Sequence, residues 1–222
     1  MNDTPIAPIL ITAGPTYEAI DTVRFIGNRS SGRMGIAIAQ AAVNAGYPTI
    51  LLLGPNCIQP TTHDLLTIIH FRSTHDLQAL LEIHWPDQAG TLIMAAAVAD
   101  FTLDADEKNN PSKIKRTEEG ITLHLKPTPD LIARCAQRKK PNQRIIGFAL
   151  EPEDQLIERA TQKLILKNID AIIANPLQTM DEENVSAQFV TKSNQSLTPP
   201  ITPGPTTKQH FANWLIEQLP NI

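Results

Sequence analysis

Residues 9–16 read Ile-Leu-Ile-Thr-Ala-Gly-Pro-Thr, and residues 91–100 read Thr-Leu-Ile-Met-Ala-Ala-Ala-Val-Ala-Asp. Each is a short, nearly unbroken apolar run that ends in small residues and then a polar one. A strand with one wet face alternates apolar and polar residues, whereas a strand covered on both faces does not. The same signature recurs at Thr49–Leu53, Thr67–Phe71, Arg144–Ala149 and Asp170–Ala174. Between these runs, segments 31–46, 74–84, 130–140 and 153–168 carry apolar residues at helical spacing. The alternation predicts an α/β fold, a Rossmann-like, largely parallel sheet with flanking helices. Ser73 to Asp76 reads as a capping box ahead of the second helix, and Pro152 with Glu153 and Asp154 suits the first turn of the fourth.

Two regions break the rhythm. Residues 101–129 are polar, charged and interrupted by Pro111, Gly120, Pro127 and Pro129, with a strand expected only at Ile121–Leu125. A loop this long inside a compact domain is usually functional, so it is read as a flap. Near the C-terminus, Ser186–Thr191 alternates like a half-exposed strand, and Pro199–Pro205 is a turn region. Thr206 is placed to cap a last helix carrying Phe211, Trp214, Leu215 and Leu219. This strand and helix form an appendage whose apolar faces either pack on their own sheet or are buried by a second copy. The chain, residues 1–222, is read as one domain.

With 222 residues, 41% of them hydrophobic and 19% charged, the chain can bury a sizeable core without disulfides or metals. Cys57 and Cys135 are too few for a disulfide scaffold or a cysteine zinc site. No apolar run approaches the ~20 residues that span a bilayer, and the opening residues lack the regions of a signal peptide. A cytoplasmic protein with no membrane partner is expected. Residues 1–107 carry a net charge of -7 and residues 108–222 of +3. Basic clusters at Lys108–Arg116, Arg134–Arg144 and Arg159–Lys167 suit either a compact polyanion such as a nucleoside triphosphate or ordinary solvated helix faces. The acidic balance, the 5% aromatic content and the lack of a binding motif argue against nucleic acid.

The turn after the first run, Gly14-Pro15-Thr16, and the stretch Gly27-Asn28-Arg29-Ser30-Ser31-Gly32-Arg33-Met34-Gly35 bring glycines and hydroxyls to the start of a helix. Backbone N–H groups and the helix dipole favour an anion there. Gly27 to Gly32 has Walker A spacing, but Arg33-Met34 stands where Lys-Ser/Thr is required. Ala13–Glu18 lacks GxGxxG, and the second run ends in Leu53-Gly54-Pro55 without an acid for a ribose, so a nicotinamide reductase is disfavoured. For Gly32 and Gly35 the alternative is close helix-to-sheet packing. Ala95–Ala97 leave room for a flat base, with Asp100 placed to accept from its amino group or from ribose. Lys113-Ile114-Lys115-Arg116 follows on the polar loop, and Lys163 and Lys167 share one helical face, able to grip a triphosphate or simply to be solvated.

The motifs GNRSSGRMG, AAAVAD, KIKR, PDLI, GFALE and KLILKNID, in this order from about Ile9 to Asn194, resemble phosphopantothenoylcysteine synthetase of the bacterial, CTP-dependent type. The resemblance implies a ligase that activates 4'-phosphopantothenate with CTP as an acyl-cytidylate, which L-cysteine then aminolyses, with Mg²⁺ as cofactor. It implies catalytic roles for Asn28, which stabilises the intermediate during aminolysis, and for Lys113, needed to form it. It assigns the nucleotide to Ala95, Ala96, Ala97, Asp100, Lys113, Pro129, Asp130, Leu131, Ile132, Phe148, Lys163 and Lys167. Phosphopantothenate falls to Gly14, Asn28, Ser30, Gly32 and Gly35. The resemblance further implies a homodimer, with interface elements expected within residues 120–129 and 180–222, and a phosphopantothenoylcysteine decarboxylase as a separate partner. Starting just before the first strand, the chain reads as a stand-alone synthetase or an excised domain. It departs from the family pattern at Arg116, where lysine is usual, at Pro127-Thr128 in place of Lys-Asn, and in a longer loop between Asp100 and Lys113. A nucleotide-binding module without catalysis is the other class kept open.

Overall fold

The computed structural model describes residues 7–55, 57–104, 114–116, 118, 120–177, 184–192 and 204–222. The first apolar run forms β1 (Ile9–Ala13), which lies between β4 (Thr49–Leu53) and β6 (Thr91–Met94), with Ile9 opposite both Thr49 and Thr91. The sheet extends to β5 (Leu66–His70) on one side and to β9 (Arg144–Glu151), β10 (Ala171–Pro176) and β12 (Gln188–Thr191) on the other. The order is β12-β10-β9-β6-β1-β4-β5, parallel throughout except for β12. The chain winds outward from β1 through β4 and β5, then returns to β6 on the opposite side. That reversal opens a crevice at the carboxyl ends of β1 and β6.

Both faces of the sheet are covered, which is why the strands do not alternate. Ile9, Ile11 and Ala13 face the layer made by α1 (Arg33–Asn44) and the C-terminal α5 (Lys208–Gln218). Leu10 faces α2 (Thr74–His84), α3 (Leu131–Gln137) and α4 (Leu156–Leu166) on the other side. Ser73 and Asp76 form the expected capping box of α2. Trp85, at the end of α2, is buried and donates its indole N–H to the Cys135 carbonyl on α3 at 3.0 Å. No helix among the described residues is long and apolar enough to cross a membrane.

Two small ribbons rise above the crevice. One pairs β2 (Tyr17–Ala19) with β3 (Phe25–Gly27), and the other pairs β7 (Phe101–Leu103) with β8 (Leu125–Pro127). The one strand expected in this region, Ile121–Leu125, is displaced to Leu125–Pro127, and its partner Phe101–Leu103 is a strand the sequence did not announce. Ile121 and Leu125 stay exposed, with no layer among the described residues covering them.

The C-terminal appendage also differs from expectation. Gln188–Thr191 joins the main sheet as its antiparallel edge, with Phe189 in one core layer and Val190 in the other, so it is not half-exposed. Phe211 and Leu215 are fully buried in the layer shared with α1, and Phe211 and Phe189 both contact the Trp214 ring. These apolar faces pack inside the chain. The helix cap is Thr207, whose hydroxyl accepts the His210 N–H at 3.2 Å, and Thr206-Thr207 form β13, paired with β11 (Asn184–Val185). Pro152, Glu153 and Asp154 lead into a separate turn of 3-10 helix, Glu153–Gln155, before α4.

Candidate active site

A cleft of about 1050 Å³ opens at the reversal point, next to the ends of β6, β9 and β10 and the start of α1. Gly14 shapes it from behind. Its backbone has φ +85°, and a Cβ there would fall 2.4 Å from the Cys57 sulfur and 3.2 Å from the Gly54 Cα, so the turn tolerates only glycine. The Gly14 carbonyl accepts the Ala97 N–H at 2.9 Å, and the Thr16 N–H reaches the Ala97 carbonyl at 3.2 Å. Thr12 and Thr16 hydroxyls accept the N–H groups of Ala96 and Ala99 at 3.1 and 2.8 Å. Residues 95–99 are therefore held against the end of β1, with Ala95, Ala96 and Ala97 lining the cleft and Gly14 outside its lining. Asp100 stands exposed at the rim, its carboxylate uncommitted among the described residues.

The α1 wall carries Asn28, Arg29, Ser30, Gly32, Arg33 and Gly35. Gly32 precedes the helix at φ +70° with its N–H turned to the Ser30 hydroxyl at 3.4 Å. A Cβ on Gly35 would lie 2.5 Å from the Ala13 Cβ, so α1 rests directly on β1. Close packing and cleft lining therefore coincide at Gly32 and Gly35. Arg29 and Arg33 are exposed and form no ion pair among the described residues. Asn28 donates one amide hydrogen to the Val98 carbonyl at 2.9 Å, leaving its second for the cleft.

The opposite wall comes from Pro129, Asp130, Leu131 and Ile132 at the start of α3, Phe148 on β9, Lys163 on α4 and Lys167 at its C-cap. Here the charges are committed. Asp130 caps α3 by accepting the Ala133 N–H at 3.1 Å and pairs with Lys167 at 3.1 Å. Lys163 contacts buried Glu151, which also pairs with Arg159 at 3.3 Å. Burial alone would raise the Glu151 carboxyl, but Lys163 and Arg159 outweigh it and hold it below its ordinary value.

Lys113 lies outside the described residues. The segment that follows it is tied down at Ile114, whose N–H donates to Asp21 Oδ2 at 3.1 Å and whose carbonyl accepts from Arg24 Nη2 at 3.0 Å. Asp21, in the turn between β2 and β3, is held far below the usual carboxylate range, chiefly by the Arg24 guanidinium and then by backbone N–H groups.

Several lining residues escaped the sequence reading, Asn175, Asn184 and Lys208 among them. Asn175, the last residue but one of β10, has a buried Oδ1 that meets no donor among the described residues, an acceptor a ligand N–H or O–H would satisfy. It interrupts an apolar strand end much as Asp100 does, and that signal was there to find. Asn184 and Lys208 reach the cleft from β11 and the start of α5, with no local pattern to mark them. The basic cluster Arg134–Arg144 serves structure instead: Lys139 pairs with Asp170 at 2.6 Å, and Arg144 donates to the Ile222 carbonyl at 2.7 Å.

A doubly wound sheet with a cation-walled cleft over small residues at its reversal point defines an α/β domain of the kind that takes ligands at the carboxyl ends of its strands. The chain belongs to the DNA/pantothenate metabolism flavoprotein C-terminal domain family, whose model matches residues 6–222. It is 41% identical over 172 residues to the coenzyme A biosynthesis bifunctional protein CoaBC of Bacillus subtilis strain 168, covering 77% of this chain and 40% of that protein. A protein of an unknown prokaryotic organism, named a cysteine/cysteine sulfinic acid decarboxylase, is 44% identical over 172 residues, covering 77% of this chain and 46% of its own. The chain thus spans less than half the length of these relatives. Its fold superposes on the DNA/pantothenate metabolism flavoprotein of Streptococcus pneumoniae with a TM-score of 0.82 and 31% identity, covering 97% of this chain and 99% of that one. The C-terminal domain of CoaBC gives a TM-score of 0.75 and 33% identity over 96% and 93%.

Proposed function

We propose that the chain is a ligase that joins 4'-phosphopantothenate to L-cysteine at the expense of CTP, giving 4'-phosphopantothenoylcysteine, CMP and pyrophosphate in coenzyme A synthesis. The observation that carries this reading is the convergence of GNRSSG, AAAVAD, PDLI, Lys163 and Lys167 on one cleft. Family membership and the CoaBC relatives support it. In the first step a substrate carboxylate oxygen attacks the α-phosphorus of CTP and the bond to pyrophosphate breaks. In the second the cysteine amine attacks the acyl carbon, CMP departs and the amine gives up a proton.

Lys163, Lys167 and Lys113 meet the triphosphate, and Ala95–Ala97 with Asp100 take the cytidine. The start of α1, with Arg29 and Arg33, takes the phosphate of phosphopantothenate. The free amide hydrogen of Asn28 meets the carbonyl oxygen as it gains charge, a role usually worth roughly 3–4 kcal/mol. Among the described residues no three acids, histidines or cysteines cluster as a metal cage. Mg²⁺, which the resemblance implies, would neutralise charge on the nucleotide phosphates, and Asp100 is a carboxylate of the cleft that could reach it.

Val23 and Phe25 on one ribbon, and Phe101, Ile121 and Leu125 on or beside the other, are exposed apolar residues. They support a homodimer joined through the ribbons, and a monomer by light scattering at assay concentration would refute it. The longer relatives, one bifunctional and one named a decarboxylase, support a decarboxylase as fused or separate partner.

The deciding experiment measures pyrophosphate release with phosphopantothenate, cysteine and Mg²⁺, with CTP or ATP. Release with CTP well above that with ATP is expected. Higher kcat/KM with ATP would overturn the cytidine assignment, and CTP binding without pyrophosphate release would leave only a binding module.

A further inference from the structure

Asp21 does more than a turn requires. Its Oδ1 accepts the N–H groups of Val23 and Arg24, both at 2.8 Å, which already closes the turn between β2 and β3. Its Oδ2 holds the Arg24 guanidinium, with Nε at 3.0 Å and Nη2 closer still. The side chain is fully buried, yet what remains of the pair's hydrogen-bonding capacity reaches a residue 90 positions later. Asp21 receives the Ile114 N–H and Arg24 donates to the Ile114 carbonyl, so both polar groups of one residue are gripped as a neighbouring strand would grip them. Among the described residues these are the bonds that tie segment 114–116 to the body of the domain.

We infer that Asp21 is a positioning residue for the first half-reaction: with Arg24 it fixes the backbone of the lysine segment at Ile114, the residue the chain joins directly to Lys113. The inference rests on the proposed ligase reading. A carboxylate that takes five donors is a rigid post, and a loop end fixed to it loses much less entropy when a cation beside it must meet a developing charge. Arg24 is itself oriented by Asp21, so the carboxylate acts on the segment both directly and through the guanidinium.

The test uses Asp21→Asn, Ile114→Pro, which deletes the N–H donor from the loop side, and the double variant. Acyl-cytidylate formation is followed by rapid quench and mass spectrometry with CTP and phosphopantothenate but no cysteine. Aminolysis is followed separately after cysteine is added to preformed intermediate. Each single variant should slow formation by about tenfold or more at saturating substrate, with aminolysis and the KM for CTP within about threefold of wild type. The double variant should be no slower than the worse single one. Multiplied losses in the double variant, equal losses in both half-reactions, or a normal rate in Asp21→Asn would each overturn the inference. Hydrogen exchange at the Ile114 amide should quicken by about tenfold in Asp21→Asn. That measurement separates the two readings: a wild-type protein that makes no acyl-cytidylate defeats the ligase assignment, whereas unchanged exchange defeats the anchor whatever the activity.

Discussion

The two walls of the cleft hold their charges in opposite ways. On the α1 side, Arg29 and Arg33 form no ion pair among the described residues, and the wall is shaped by glycines pressed against β1. On the α4 side, Lys163 and Lys167 are already paired with Glu151 and Asp130. One wall is rigid in its backbone and free in its charges, the other fixed in its charges. A phosphate arriving at the first finds cations ready, while one arriving at the second must share lysines with carboxylates that also keep them in place. The first wall therefore depends on space and the second on ion pairing.

The strongest way to break this contrast is Gly35→Ala. Inside a helix alanine is favoured over glycine by about 1 kcal/mol. Here the added Cβ would sit 2.5 Å from the Ala13 Cβ and 3.1 Å from its Cα, atoms of a central strand that cannot yield cheaply. Overpacking wins, and a net loss of about 1–3 kcal/mol is expected by denaturant titration, with weakened phosphopantothenate binding. Gly46→Ala is the control: nothing lies within 4 Å of its added Cβ, so only the strain of φ +87° remains and binding should not change.

Glu151→Gln tests the other wall with a smaller effect, about 1–2 kcal/mol of stability, since its cationic partners are half exposed. Because the Glu151 carboxyl is held below its ordinary 4.5, its contribution is present above that pH and lost as pH falls through the lower folded value. The stability gap between wild type and variant should accordingly be full near neutrality and close in acid. The KM for CTP should rise several-fold with that for phosphopantothenate unchanged; tighter CTP binding would mean that Glu151 only masks Lys163. Smallest is Asp130→Ala, which removes the cap of α3 and the partner of Lys167, at about 1 kcal/mol. A stability loss without any change in CTP affinity would show the cap to be its only role.

The fold was legible because burial on both faces writes unbroken apolar runs: β1 and β4 fall on the expected residues, and α2 begins at its capping box. The crevice was legible for the same reason, since small or polar residues after such runs mark strand ends. What failed was whatever depends on a distant partner. Ser186–Thr191 reads locally as an alternating strand, yet β10 on one side and two core layers above and below it bury Phe189 and Val190. Lys208 and Asn184 line the cleft only because α5 packs on α1 and β13 pairs with β11, and neither packing leaves a local trace. Asn28, Gly32 and Lys163 could be named from motifs, but that Lys163 and Lys167 are preoccupied by carboxylates follows only from the side-to-side placement of β9, α3 and α4.

Trp85, one of only two tryptophans in the chain, is held by its indole N–H to α3, the helix whose first turn forms part of the cleft. The other, Trp214, sits in the opposite layer against Phe189 and Phe211. The protein thus carries an intrinsic optical gauge, a chromophore wired to the α3 wall of the cleft through one hydrogen bond, with a second chromophore in the α5 layer to serve as reference. With Trp214 replaced by phenylalanine, emission from Trp85 alone would register any shift of α3 as ligand fills the cleft, without a label and in real time.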